Sequence, residues 1–318
     1  MIEKRNFTTA EIIGALDELR IEYDFFGSAL NNELHFCSLR KPEPNGIYFV
    51  EAQVDIKFDV AGSLFITSER MGYENCAELV VGNPQLTFYK LMDLFFNERD
   101  HTTGVHPTAV VDSDAVIDPK AWVGPYCVIG RAAIGAGVRL HSHIVVFDGT
   151  VIEDDVVIEP HSTIGATGVA WIWDPENGER VRQPQIGGVR IGKGCFLGSD
   201  ITVVRGSANE ITEIGAYTVI AHGTKIGHGC KIGSEVHCSS NVSLAGNVDV
   251  GKGAFLGVGC SIRPRITLAA GTVVGIGAAV VKNNNVPGVI LSGVPARPSE
   301  KKGRMAGVPK LKNEVLEK

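Results

Sequence analysis

Between Ile214 and Val280 an apolar residue returns at every sixth position: Ile214, Ile220, Ile226, Ile232, Cys238, Leu244, Val250, Leu256, Ile262, Leu268, Val274 and Val280. Four residues after most of these stands a small or β-branched residue, among them Thr218, Thr224, Cys230, Val236, Val242, Val248, Ala254 and Cys260. One residue after, glycine recurs at Gly215, Gly227, Gly233, Gly251, Gly257 and Gly275. An amphipathic helix repeats every 3.6 residues and a half-buried strand every two. A period of six fits neither and is the hexapeptide signature of a parallel β-helix. Each hexad supplies one short strand and one corner, with the sixth-position residue and the one four places later turned inward. The glycines at the corners are expected to accommodate strained turns. No hexad can bury its apolar residue alone, so successive coils must stabilise one another.

The same frame starts earlier, at Val105, Val111, Ile117, Val123 and Ile129. It then loses one residue and resumes at Ile134, Leu140, Val146, Ile152, Ile158 and Ile164. The pattern breaks over residues 165–190, which hold Trp171, Trp173 and a turn at Asp174-Pro175-Glu176-Asn177-Gly178, and this stretch is read as a loop thrown out from the solenoid. Ile191, Leu197 and Val203 return to frame before a second excursion over residues 205–213.

Residues 1–100 lack the hexad and read as a small α/β domain. Thr8 and Glu11 form a capping box ahead of Ile12, Ile13, Leu16 and Leu19, which predicts a helix. Strands are predicted at residues 34–37, 47–50, 64–67 and 77–81, and a second helix at 86–96 after Asn83-Pro84. The domains are therefore 1–100, the solenoid over 101–298, and a short tail over 299–318.

Composition narrows the class. A content of 44% hydrophobic and 21% charged residues fits a soluble globular chain, and a net charge of −6 weighs against nucleic acid as a partner. Residues 1–6 are charged and no long apolar run follows, so neither a signal peptide nor a membrane span is expected. The seven cysteines include no C-x-x-C pair. Cys127, Cys195, Cys230 and Cys260 fall at inward hexad positions, as buried free thiols in a reducing cytoplasm would.

The hexads, the ending "GVPARP" and a histidine in "IGHGC" resemble the left-handed β-helix acyltransferases. The order of parts is similar to the UDP-3-O-acylglucosamine N-acyltransferases of lipid A and lipopolysaccharide synthesis. That similarity rests on "LVVGNPQLTFYKLMDLF", "VHPTAVVDSDAVI" and the loop "IGATGVAWIWDPENGERVRQPQIGGVRIG". The final third, "HGCKIGSEVHCSSNVSLAGNVDVGKGAFLGVGCSI", resembles acetyl-CoA-dependent nucleotide-sugar acetyltransferases. The resemblance implies a left-handed solenoid with three hexads per coil, so that residues 18 apart stack. It also implies a cytoplasmic homotrimer with sites between adjacent solenoids. The implied reaction moves an acyl group from acyl carrier protein, through its 4'-phosphopantetheine thioester, or from acetyl- or acyl-CoA, to the amine of a UDP-linked amino sugar. Two other readings stand beside it: an acetyl-CoA-dependent sugar O- or N-acetyltransferase, and a non-catalytic hexapeptide solenoid used for assembly.

Within that frame, the resemblance makes His228 the general base and Gly246, one coil away, the backbone donor to the oxyanion. Neutral imidazole suits proton abstraction near pH 7, and the lack of a side chain at Gly246 lets a thioester approach. The other reading of His228 is a solvated surface histidine. Donor binding is expected at His237, Gly257, Arg263 and Arg265, the two arginines offering guanidinium groups to phosphates or simply facing water at a corner. Tyr48, Phe49 and Asn83 are candidates for the uridine, against core packing for the aromatic pair. Trp171 and Trp173 are read as covering an acyl chain or packing on a neighbouring subunit. His222 reads as polar surface. His143 and His161, 18 apart, are read as a structural ladder or an intersubunit contact, since two histidines lacking a third ligand are weak evidence for a metal site. No metal and no bound cofactor are expected.

Overall fold

The computed structural model describes residues 5–27, 33–52, 54, 59–96 and 102–298. The chain divides into two compact units, Met1–His101 and Thr102–Lys318. The tail at 299–318 lies outside the described residues.

The first unit carries a five-stranded sheet and two helices: α1 (Thr9–Glu18), β1 (Tyr23–Phe26), β2 (His35–Phe36), β3 (Gly46–Phe49), β4 (Leu64–Thr67), β5 (Ala77–Val81) and α2 (Pro84–Phe96). Its strand order is β1-β5-β4-β3-β2, with β1 antiparallel to β5 and the remaining pairs parallel. The capping box forms as the sequence predicts: Glu11 N–H donates to Thr8 Oγ1 at 3.1 Å, and Thr8 N–H to the Glu11 carboxylate at 2.7 Å. α2 starts at Pro84, two residues ahead of expectation, because proline is preset for the first helical position and Asn83 caps it by accepting from Leu86 N–H. The edge strand β1 had no sequence signal, since Tyr23-Asp24-Phe25-Phe26 does not alternate. Leu34 forms an antiparallel bridge with Phe7, and only His35–Phe36 of the predicted 34–37 strand belongs to β2. Ile12, Leu16, Leu34, Ile47, Leu64, Ile66, Leu79 and Leu91 make a fully buried core.

The second unit is the parallel β-helix. Its strands fall into three sheets of nine, eight and eleven. Through the long run, residues 18 apart pair across coils: Ile214 with Ile232, Ile220 with Cys238, Ile226 with Leu244. The lost residue is absorbed in one coil, where Ile117 pairs with Ile134 and Ile129 with Val146. Both excursions are spliced out of the stack, so that Ile164 pairs with Val203 and Val203 with Ile226. The inward positions form one continuous column, apolar except at positions such as Ser162, Thr218, Thr224 and Thr272, and including Cys127, Cys195, Cys230, Cys238 and Cys260. Burial falls off toward the terminal coil, which has a stacked neighbour on one side only: Val111 and Ile117 are partly buried and Val105 is 45% exposed.

The glycines that follow each inward residue do a different job from the one the sequence suggests. The left-handed turn residue lies three places after the inward residue, at Tyr126, His143, His161, Tyr217, Glu235, Asn241, Asn247 and Arg265 among others, and at Gly229, Gly253 and Gly259. Gly215, Gly227, Gly233, Gly251 and Gly257 do not have a positive φ. A β-carbon on Gly227 would stand 2.6 Å from the Ala245 carbonyl carbon, and one on Gly233 2.7 Å from Lys252 N. These glycines are selected by close approach of consecutive coils.

Residues 165–190 leave the solenoid as an antiparallel hairpin, Trp171–Trp173 against Arg180–Arg182, closed at Gly178 with φ +71. Its base is tied back by Arg205, whose N–H donates to the Ala166 carbonyl at 3.0 Å, and is closed by Gly168 N–H donating to the buried Gln185 side chain. Residues 290–298 end the solenoid as a parallel strand beside Val273–Val274, folded into a hairpin. No helix among the described residues is long and apolar enough to cross a membrane.

Candidate active site

His228 and Gly246 occupy the same corner on consecutive coils, because Ile226 and Leu244 pair in register. Asn247 N–H donates to the His228 carbonyl at 2.7 Å and locks the two corners together. A β-carbon on Gly246 would collide with the imidazole, standing 2.8 Å from Cε1 and 2.9 Å from Cδ2. The ring's Nε2 edge is thus turned to Gly246, while its Nδ1 is buried with no hydrogen-bond partner among the described residues. The Gly246 N–H donates no hydrogen bond to the described residues.

A pocket of about 300 Å³ opens at this corner. It is lined by His228, Gly246, Asn247, Arg263, Pro264 and Arg265. The structure therefore brings together four of the residues singled out in the sequence. Both arginines are exposed, and Arg265 sits on the third stacked corner with φ +60, its N–H bonded to the Gly246 carbonyl. The corner combines an imidazole, an N–H with no partner among the described residues, and two exposed arginines.

Three contributors were not singled out in the sequence. Asn247 occupies the left-handed turn position, which asparagine tolerates. Its presence in the repeat was the one signal available. Thr212, buried in the second excursion, donates to the Val204 carbonyl at 2.7 Å and accepts from Gly229 N–H at 2.9 Å, tying that excursion to the histidine corner. The Glu210 carboxylate approaches Gly229 closely enough that a β-carbon there would lie 3.0 Å from Oε2. Thr212 holds the small inward slot two residues before Ile214, in register with Val189; only Glu210 lies outside the frame, so no periodicity announces its approach.

The remaining candidates lie elsewhere. His237 is on a strand that pairs with Phe255–Leu256, and its ring stacks on Phe255 at 5.2 Å; burial pushes its pKa down. Gly257 follows that same strand and, like His237, is outside the 300 Å³ pocket. Trp171 and Trp173 meet edge to face at 5.1 Å with Arg180 over Trp171. They are 46% and 62% exposed. His143 and His161 stack at 5.0 Å with Tyr126 on the other side of His143, the ladder their spacing predicts. His222 Nδ1 accepts from Ser199 N–H, a turn-stabilising role.

In the first unit Tyr48 is fully buried. It stacks on Phe65, and its hydroxyl both donates to the Glu43 carbonyl and accepts from Glu43 N–H at 2.7 Å. Burial pushes its pKa up to about 12. Tyr48 is thus core, with its face already occupied. Phe49 is half-buried and packs against Phe88. It lines a largely apolar pocket of about 710 Å³ with Phe36, Cys37, Arg40, Phe88 and Met92. Asn83 is spent on the helix cap and does not line that pocket.

No protein-family model matches the chain. Among curated proteins, it is 32% identical over 211 residues to a UDP-3-O-acylglucosamine N-acyltransferase of Coxiella burnetii, covering 59% of each chain. It is 38% identical over 135 residues to one of Paracidovorax citrulli, covering 42% of this chain and 40% of that one. Among solved structures, a UDP-N-acetylglucosamine acyltransferase of Francisella novicida superposes with a TM-score of 0.56 at 27% identity, over 62% of this chain and 70% of its own. The match thus spans about three fifths of the length of the Coxiella relative. With the coil register, these likenesses make the second unit a hexapeptide-repeat, left-handed β-helix.

Proposed function

We propose that the chain is an acyltransferase that moves an acyl group from a thioester carrier to the amino group of a UDP-linked amino sugar. The observation that carries this reading is the direct stacking of the His228 imidazole on Gly246 beside two arginines. The names of the curated relatives and of the solved structure, all acyltransferases of UDP-sugars, support it.

The chemistry follows from the geometry. With the proton on Nδ1, the Nε2 lone pair accepts a proton from the sugar amine as its nitrogen forms a bond to the thioester carbonyl carbon. The carbonyl π electrons move onto oxygen, and that oxyanion accepts a hydrogen bond from the Gly246 N–H. Collapse breaks the C–S bond, and the leaving thiolate takes the proton from the imidazolium. Amide and free thiol are the products. Arg263 and Arg265 suit the phosphates of a pantetheine-bearing donor, whether acyl carrier protein or CoA. Gly257 and His237 are proposed donor contacts from a separate face, and Trp171 and Trp173 a cover for the acyl chain, as would suit a site completed between copies of a cytoplasmic homotrimer. Phe49, with its half-open ring in the 710 Å³ pocket, is the proposed stacking surface for the uridine.

The test is direct. Purified protein is incubated with a UDP-amino sugar and either a 3-hydroxyacyl carrier protein or acetyl-CoA, and products are read by mass spectrometry. An amide product with either donor, lost in His228→Ala, is expected. Absence of product with every donor, or unchanged turnover in His228→Ala, overturns the reading and leaves a non-catalytic solenoid.

A further inference from the structure

The first unit holds a side-chain cluster that lies outside the His228 pocket, one member of which, Cys37, lines the 710 Å³ pocket. His35, Cys37 and Glu43 each present one ligand atom, and these atoms all lie within 4.8 Å of one another. We infer that they form a site for a zinc ion.

The backbone builds the cluster. His35 and Cys37 are two apart along an extended segment, and their N–H groups donate to Asn45 and Ile47 carbonyls on the same side. Residues two apart on a strand share a face, so imidazole and thiol project together. A tight turn, with Lys41 N–H bonded to the Ser38 carbonyl, then brings the chain back to Glu43. The Tyr48 hydroxyl clamps Glu43 by both its N–H and its carbonyl. Glu43 is thus held by buried structure.

The donor set matches zinc. Nitrogen, thiolate and carboxylate ligands are the ones zinc accepts, at roughly 2.0–2.3 Å in tetrahedral geometry. Two such N and O ligands around one tetrahedral ion stand roughly 3.3 Å apart. His35 Nε2 and Glu43 Oε2 are 3.5 Å apart, near that edge and long for a hydrogen bond. The other ring nitrogen, Nδ1, faces the Glu33 carbonyl at 3.4 Å, the kind of outer partner that orients a ligating imidazole. Lys41 stands 3.6 Å from the other Glu43 oxygen with its side chain 86% exposed, and a solvated pair of this kind is weak; the Cys37 side chain also meets the Tyr48 hydroxyl, a contact that metal binding would exchange for a Zn–S bond. On binding, Cys37 gives its thiol proton to solvent and a Zn–S bond forms. Thiolate, carboxylate and Zn²⁺ together are neutral, which suits a half-buried position. Three protein ligands leave a fourth place for water or for a donor atom of a molecule in the adjoining pocket that Cys37 lines.

The experiment uses the untagged full chain. After equilibration with Zn²⁺ and gel filtration, elemental analysis is expected to find one zinc per chain, and zinc to raise Tm reversibly on chelation. Cobalt substitution is expected to produce a thiolate-to-metal charge-transfer band. Cys37→Ser abolishes the band, Glu43→Gln weakens metal retention at least tenfold, and Cys76→Ser, at a half-buried thiol outside the cluster, leaves both unchanged. A full chain that retains no stoichiometric zinc, or shows no thiolate band with cobalt, overturns the inference whatever the variants do; so does a Cys37→Ser variant that keeps the band.

Discussion

Gly246 and His228 are so closely stacked that the smallest possible side chain at 246 would meet the imidazole ring, 2.8 Å from Cε1. The glycine is required by the histidine's position, and the histidine's proton-accepting edge is set by the glycine. Gly246→Ala is therefore expected to push the ring from its place. Displacement of a catalytic group by about 1 Å costs about 10²-fold in rate. Steady-state kinetics with Tm measured in parallel checks this: kcat falls at least that far while the solenoid stays folded.

His228→Ala and His228→Gln remove the proposed base but leave the proposed oxyanion donor. A general base contributes about 10²–10⁴-fold. The expected loss is in kcat, with KM for the UDP-sugar within a few-fold of the parent.

Arg265 occupies a left-handed turn position, where a side chain costs about 1–2 kcal/mol and glycine does not. Arg265→Gly is expected to leave Tm unchanged or raised, and at the same time to raise KM for the phosphate-bearing donor. The difference between variant and parent should shrink as salt is added, because the lost interaction is electrostatic. A drop in Tm with no change in KM would mean that the arginine serves packing alone.

The corner glycines separate two kinds of constraint. Gly227→Ala places a β-carbon 2.6 Å from backbone of the next coil, which has no flexible end to move aside. Overpacking of this kind costs about 1–3 kcal/mol. Gly259→Ala meets no atom within 4 Å and suffers only from its φ of +66. Chemical denaturation of both is expected to rank Gly227→Ala as more destabilising.

His237 is half-buried against Phe255, and burial disfavours its charged form, so its folded pKa lies below the ordinary 6.5. The stability this confers is present above the unfolded value and is lost as pH falls through the folded value. Thermal unfolding between pH 7.5 and 5 should show that loss, and His237→Phe should reduce it while keeping the ring stack.

The sequence by itself determined the solenoid. Each coil touches only its neighbours, so a one-dimensional repeat in the chain becomes a one-dimensional stack in space, and Ile226, Leu244 and Ile262 are aligned by counting alone. His228 over Gly246 follows from the same count, as does the His143–His161 ladder. Thr8 with Glu11 was legible because a capping box is local, whereas Asn83, expected near a uridine, caps α2. Tertiary structure alone decided whatever depends on closure over an unrepeated path. It placed the left-handed turn residue three positions after the inward one and gave the adjacent glycines to coil contact, because both follow from how tightly backbones stack. It brought Glu210 to the Gly229 corner through an excursion with no period. It buried Tyr48 by bonding its hydroxyl to Glu43, and so left Phe49 as the accessible ring of the pair. It joined His35, Cys37 and Glu43 across a turn whose closing hydrogen bonds no spacing rule specifies.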